Sequence, residues 1–275
     1  MTVIALPDRA LLEIAGPDAR TLLQGVLTQD MAKATPGALL YGALLTPQGK
    51  IIADLFIGCP AEDVFWLDAP AAARADLKRR FTLYRLRAKA TIAEREESVF
   101  AVLGEDALAV GEGAFIAPDP RLPALGRRLY APAAPGPLAD PDLYDAHRLA
   151  LAVPDPARDM ETEKDFLLEG LFDELNGVDF HKGCYVGQEM TSRMKRRASV
   201  RTKLTPIVFD GPPPPPDTPI LAGDWEVGRV RSGRQGRAMA LVRFDRVAKA
   251  EEPLLAGGKP VRLDPPDWLI LPKGE

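Results

Sequence analysis

At 275 residues, with 46% hydrophobic and 27% charged positions, the chain is long enough for two or three packed subdomains and has an ordinary globular composition. A formal net charge of −4 gives no global case for nucleic-acid binding, and two widely spaced cysteines, Cys59 and Cys184, do not form a secreted disulfide framework. No stretch approaches the ~18 apolar residues that span a bilayer, and no basic region precedes an apolar run at the N-terminus, so a cytoplasmic setting is expected.

In chain order, ALLEIAG (10–16) predicts a short strand, and Pro17 opens a helix through Leu22, Leu23 and Val26. ALLTPQGKIIADLFIG (43–58) predicts a hairpin: two apolar runs around a Thr-Pro-Gln-Gly turn. DVFWLDAP supplies another strand and then a helix start with Asp68 as its N-cap. Leu77, Phe81 and Tyr84 follow at i, i+4 and i+7, which marks a buried helix face. AKATIAE and SVFAVLG read as strands, so the first 130 or so residues imply an α+β sandwich. Residues 117–141, rich in Pro, Ala and Gly, read as irregular chain. DLYDAHRLALAV then predicts a helix with Leu143, Ala146, Leu149 and Ala150 on one face, and its His147 reads as a hydrogen-bonded structural histidine.

FDGPPPPPDTP (209–219) is the sharpest boundary, since five prolines favour a polyproline II strut about 15 Å long. The β-rich runs and Gly turns around and after it predict a small β-barrel spanning 206–275.

HKGCYVGQEM (181–190) holds the densest chemistry. Its glycines permit a tight turn, GQEMTSRMKRR reads as helical from Gly187, and Cys184 falls just before that helix. The helix dipole and Lys182 would favour a thiolate there, while an inert structural cysteine remains open on spacing alone. No CxxC, HxxxH or HExxH occurs, and two cysteines cannot hold a four-thiolate cluster within one chain, so no stably bound metal is expected. No GxSxG nucleophile elbow is present either. Two basic runs, Lys182 to Lys203 and Lys78 to Lys89, face an acidic stretch, DPARDMETEKDFLLEGLFDE, a polarity suited to an anionic ligand or to local ion pairs.

LNGVDFHKGCYVGQEMTSRMKRRASVRTKL resembles the signature of the YgfZ family of folate-binding, iron–sulfur-cluster-associated proteins, whose hallmark is K-G-C-[FY]-x-G-Q-E. Lys182, Gly183, Cys184, Tyr185, Gly187, Gln188 and Glu189 occupy every fixed position of that pattern. LLQGVLTQDM (22–31) and GALLTPQGKIIADLFI (42–57) resemble first-domain segments of YgfZ and of its relative, the aminomethyltransferase (T-protein) of the glycine cleavage system. WEVGRVRSG (225–233) and AMALVRF (238–244) resemble the superfamily's C-terminal barrel.

The resemblance implies an α+β, T-protein-like three-part ring. Two interleaved α+β subdomains over 1–205 and a C-terminal β-barrel over 206–275 would enclose a central channel that takes tetrahydrofolate or a derivative. It further implies a factor supporting assembly or repair of iron–sulfur clusters in client enzymes. A folate-dependent one-carbon transferase and a non-catalytic scaffold are the alternatives, and enzymatic activity is left open. Cys184 would be the essential thiol and Lys182 its stabilising partner. Asp54, Tyr185, Gln188, Glu189, Arg193 and Arg201 would contact folate, while Gly183 and Gly187 shape the turn. The T-protein's Asp-Asp pair after the hairpin turn is matched here by Ala53 and Asp54, so one carboxylate is missing. The expected partners are folate and iron–sulfur assembly proteins or client iron–sulfur enzymes, with no nucleic acid and no membrane. The chain is expected to be a monomer.

Overall fold

The structure, a computed structural model, describes residues 1–197 and 200–272. Ala198 and Ser199 of the hallmark stretch, and residues 273–275 of the predicted barrel segment, therefore lie outside the described residues.

The first strand, β1 (Thr2–Ala5), joins a sheet formed much later in the chain. The next, β2 (Arg9–Ala15), enters a five-stranded antiparallel sheet with β3 (Leu39–Leu45), β4 (Ile51–Ala61), β5 (Val64–Pro70) and β6 (Thr91–Arg95), in the order β3-β4-β5-β2-β6. Side chains alternate across a strand. Leu12, Ile14, Leu55, Ile57, Phe65 and Leu67 therefore face helices α1 (Ala19–Val26) and α2 (Arg74–Arg85), where Leu22, Leu23, Leu77 and Phe81 close a buried core. Leu11, Phe56 and Trp66 point to the opposite face and into the central core. Arg9, Asp54 and Asp68 share that inner parity in β2, β4 and β5, so the register delivers three charges to one place.

The second sheet has the order β1-β7-β9-β8, with β7 (Ser98–Leu103), β8 (Phe115–Pro118) and β9 (Arg127–Ala131). Because β1 precedes the first sheet in sequence but pairs with β7, the two subdomains interleave. Strands β8 and β9 correct the expectation of irregular chain over 117–141. Pro, Ala and Gly punctuate that stretch densely enough to hide RRLYA, whose Leu129 and Ala131 pack outward while Arg128 and Tyr130 turn inward.

Helix α3 (Asp142–Ala150) forms where its pattern predicts, but with a different buried face. Arg148 and Leu149 are buried, whereas Leu143, Ala146 and Ala150 are exposed. Ion pairing to Asp159 and Asp145 lets Arg148 go inside, so hydrophobic spacing alone picks the wrong side. His147 takes the expected structural role, with Nε2 2.8 Å from the Ala124 carbonyl oxygen. After the short α4 (Pro156–Asp159) and a 3₁₀ turn at Leu167–Gly170 comes α5 (Gln188–Arg196).

The seven-stranded barrel runs in the order β15-β14-β11-β12-β13-β10-β16. Its strands are β10 (Thr202–Val208), β11 (Pro219–Ala222), β12 (Trp225–Arg234), β13 (Arg237–Arg243), β14 (Leu254–Ala256), β15 (Lys259–Pro260) and β16 (Arg262–Leu263). Its edge strands β15 and β16 are joined through Val261 alone, which brings the two open edges together. The barrel opens at Thr202, ahead of the predicted 206. The pentaproline lies between β10 and β11, inside the barrel as a connection.

Candidate functional site

Between the two sheets and α3 lies a cavity of about 190 Å³, lined by Arg9, Asp54, Arg121, Arg128, Tyr144, Arg148, Asp155 and Arg158 among others. Arg9 Nη1 donates to both Asp54 oxygens (3.1 and 3.0 Å), and Arg9 Nε donates to Asp68 Oδ1 at 2.6 Å. Asp68 also accepts from Arg128 and, at 3.1 Å, from the Tyr130 hydroxyl. Arg121 binds Asp119 through Nε and Nη2 (3.0 and 2.8 Å), and Nη2 donates to the Tyr144 hydroxyl at 2.8 Å. The guanidinium carbons of Arg128, Arg121 and Arg9 stand 3.5, 4.8 and 5.4 Å from the centre of the Phe56 ring, which gives the buried cations an aromatic face. Tyr41 links that ring to Phe172, against which it stacks at 5.0 Å.

Burial raises the Asp54 pKa from its ordinary value even though Arg9 opposes it. Burial alone would lower the Arg9 pKa, but Asp54 and Asp68 outweigh that and hold it fully protonated. Asp54 and Pro156 also border a second, more apolar cavity of about 320 Å³ lined by Ile51, Ile52, Ala53, Pro70 and Met160.

The hallmark segment lies elsewhere. Gly187 adopts φ +84° at the start of α5, and a Cβ there would lie 2.7 Å from the Thr46 carbonyl oxygen. Gly49, in the β3–β4 turn, meets Met190 in the same way at 2.9 Å, so turn and hallmark helix pack backbone to backbone. Cys184 is exposed on the irregular segment before α5, while Cys59 is buried. Around α5, Phe180, His181, Gln188, Glu189, Ser192, Lys195 and Arg196 line an open groove of about 600 Å³. Among the described residues, no group of three or more His, Cys, Asp or Glu side chains is placed to hold a metal ion. No helix of the described residues is long and apolar enough to cross a membrane.

The structure therefore divides the predicted site residues. Asp54 faces the central cavity, and none of the predicted hallmark residues lines it. Gln188 and Glu189 border the outer groove. Arg193 and Arg201 are exposed and do not line the cavity: α5 buries little beyond Thr191 and turns its basic face, Arg193 included, outward, and Arg201 stands just ahead of β10. Tyr185 is buried, and burial pushes its phenol up to about 12. Lys182 is the clearest correction. Its ammonium donates to the Gln24, Leu27 and Gln29 carbonyl oxygens (2.8, 2.5 and 2.8 Å), with no hydrogen bond to Cys184. Burial lowers its pKa to about 8. Asp68 is no helix cap; it is the acceptor at the centre of the cavity's network. Gly183 shows no backbone need for glycine, since a Cβ there meets nothing within 4 Å.

Sequence reasoning missed Arg9, Asp68, Arg121, Arg128 and Tyr130. The available signal was charge within otherwise apolar strands, an arginine and an aspartate at inward parity in β2 and β5. Both basic runs resolve partly into ion pairs, such as Lys78–Glu94 and Arg80–Asp76 in α2 and Lys195–Asp173 from α5.

Two known protein families account for most of this architecture. Residues 9–115 match the GCVT N-terminal domain, and residues 201–270 match the CAF17 C-terminal beta-barrel domain. The chain also superposes on the glycine cleavage system aminomethyltransferase T from Bartonella henselae with a TM-score of 0.77. That match covers 98% of this chain and 86% of that one at 16% identity, a likeness of fold alone. The class is thus a GcvT-like mixed α/β protein with a nearly closed C-terminal β-barrel.

Human mitochondrial iron–sulfur cluster assembly factor IBA57 is 30% identical, over 96% of this chain and 84% of that protein. The mouse protein of the same name is 28% identical over 90% and 78%, and the Neurospora crassa homologue 31% over 78% and 56%. This chain belongs to the IBA57 family, and the resemblance read from KGCYVGQE holds at that level, YgfZ being the bacterial counterpart. It spans little more than half the length of the fungal relative. The relatives are named as mitochondrial proteins, which overturns the expectation of a cytoplasmic setting. A reducing interior, which cysteine usage suggests, is not unique to the cytoplasm.

Proposed function

We propose that this protein acts as an iron–sulfur cluster assembly factor. In this reading it binds tetrahydrofolate or a derivative in the central cavity and presents Cys184 as a reactive surface thiol to assembly proteins or client enzymes. The observation that carries the reading is the exposure of the hallmark thiol in a member of this family whose other cysteine is buried.

The cavity's donor set suits a folate. Among the described residues Asp54 accepts only from Arg9, and its two oxygens keep lone pairs for the amino and ring N–H groups of a pterin. Arg158, at the cavity's wall, suits the carboxylates of a glutamate tail. The volume of about 190 Å³ is below the ~300–1,000 Å³ of most small-molecule pockets, so it suits the ring end of the ligand, with the tail in the opening. Folate when bound supplies one-carbon or redox chemistry; Asp54 and Arg9 would orient it, and the buried network would exclude water from the ring face.

Calorimetry and a cellular assay test both halves. Tetrahydrofolate should titrate the wild type, and Asp54→Asn should weaken it about tenfold. Cys184→Ala should leave that titration intact while cluster-dependent enzymes lose activity in cells. A flat tetrahydrofolate titration removes the folate half, and normal client activity in Cys184→Ala removes the assembly half. Release of formaldehyde or methylene-tetrahydrofolate from a methylated or aminomethylated donor would instead favour one-carbon transfer, a role that Ala53 in place of a second carboxylate weighs against.

A further inference from the structure

The last carbonyls of an α-helix lack intrahelical partners. At the end of α1, Leu27 N–H closes on the Leu23 carbonyl at 2.9 Å, and the next two carbonyls are taken by the hallmark segment. Lys182 Nζ donates to Gln24 O at 2.8 Å and Val186 N–H donates to Gly25 O at 3.2 Å. Lys182 reaches further, to Leu27 O and Gln29 O at 2.5 and 2.8 Å. An ammonium has three protons, so all three are used on backbone and none remains for a thiolate. The Tyr185 ring, its centre 4.9 Å from Nζ, stands beside this cage.

The charges near Lys182 do not compete for it. Asp30 and Asp179 favour its charged form at a distance, but Asp179 is bonded to Lys33 at 2.7 Å and to His181 N–H at 2.7 Å, and Asp30 accepts from Gln24 Nε2 and Ala32 N–H. Cys184 therefore stands between two anchors on α1, Lys182 and Val186, with the unconstrained Gly183 beside it.

We infer that Lys182 is the positioning residue of Cys184: its ammonium caps the C-terminal end of α1 and so fixes the hallmark loop with the thiol held outward. It acts through the backbone and places no charge on the sulfur. The inference rests on the reading of Cys184 as the reactive thiol, yet its test does not measure cluster assembly, so the two can fail separately.

Hydrogen exchange and thiol alkylation on Lys182→Met test it, with buried Cys59 as the silent internal thiol. The amides of 183–187 and Leu27 should exchange at least about tenfold faster than in the wild type while α2 stays unchanged. The pH midpoint of Cys184 alkylation by iodoacetamide should stay within about 0.3 unit of the wild-type value. Methylammonium added to Lys182→Ala should restore slow exchange, which loss of packing alone would not allow. Unchanged exchange, failed rescue, or a midpoint raised by about one unit, the mark of direct charge stabilisation, would each overturn the inference. Should the variants not fold, the unmodified chain decides: Leu27 and Val186 amides should open together, and rates about a hundredfold apart would overturn it.

Discussion

The central cavity and the Cys184 loop use charge in opposite ways. In the cavity, arginines and aspartates are buried against one another, and Asp68 alone accepts from Arg9, Arg128 and Tyr130 on two other strands. In the loop, one buried cation ties down backbone and the Cys184 thiol, the proposed reactive group, is left in water. The first arrangement depends on sheet register and long-range assembly. The second is local, and it keeps the thiol's surroundings independent of the core. Breaking each region should therefore give different kinds of damage.

The largest effect is expected at Asp68, which accepts from Arg9, Arg128 and Tyr130 in a fully buried position. Asp68→Ala leaves two buried guanidiniums short of their counter-charge, and denaturant unfolding should report a loss of about 3–5 kcal/mol. A loss below about 1 kcal/mol would mean that water or Asp54 and Asp119 compensate, and the cavity would not be the tightly coupled network described.

At the junction of α5 with the barrel, Glu174 and Asp173 lie side by side and share Lys195 and Lys203. Burial and the neighbouring Asp173 push Glu174 up to about 7. A carboxyl whose folded pKa is raised binds more protons folded than unfolded between those values. Its contribution is fully present below about 4.5 and is lost as pH rises through about 7. The lost stability is about 3 kcal/mol at most. Glu174→Gln should remove that slope from unfolding measured between pH 5 and 7, and an unchanged slope would place the titrating group elsewhere.

Two glycines of the hallmark sharpen the contrast within the loop. Gly187→Ala forces a side chain into φ +84° and against the Thr46 carbonyl, so about 1–3 kcal/mol should be lost. Gly183→Ala meets open space and should be close to neutral in the same unfolding measurement, although both glycines occupy fixed positions of the pattern.

What the sequence made legible follows the same division. The hairpin, the helices α1 and α5, the Leu77–Phe81 face of α2 and the place of Cys184 just ahead of α5 are carried by short-range periodicity and turn chemistry, and each lies where those signals point. The α3 face and β9 were misread because their inward positions hold Arg148, Arg128 and Tyr130, residues that are buried only with partners from distant strands. Lys182 departs from the expected contact with Cys184 for a related reason. Adjacency to Cys184 in sequence suggested contact, whereas side chains two apart in irregular chain can point to different neighbours, here the end of α1.

The smallest effect on stability is expected at the residue with the greatest proposed importance. Cys184 is exposed and its thiol makes no hydrogen bond among the described residues, so Cys184→Ser should change unfolding free energy by no more than about 0.5 kcal/mol. Its effect on tetrahydrofolate affinity should be equally slight, because Asp54 and the guanidiniums around Phe56 line a cavity that Cys184 does not. Combined with Asp54→Asn, the two changes should add to within about 0.3–0.5 kcal/mol in calorimetry. A tenfold loss of folate affinity in Cys184→Ser would show that thiol and cavity communicate. The β3–β4 hairpin would then be the connection, since it carries Tyr41 and Asp54 at one end and packs its turn on Gly187 and Met190 at the other.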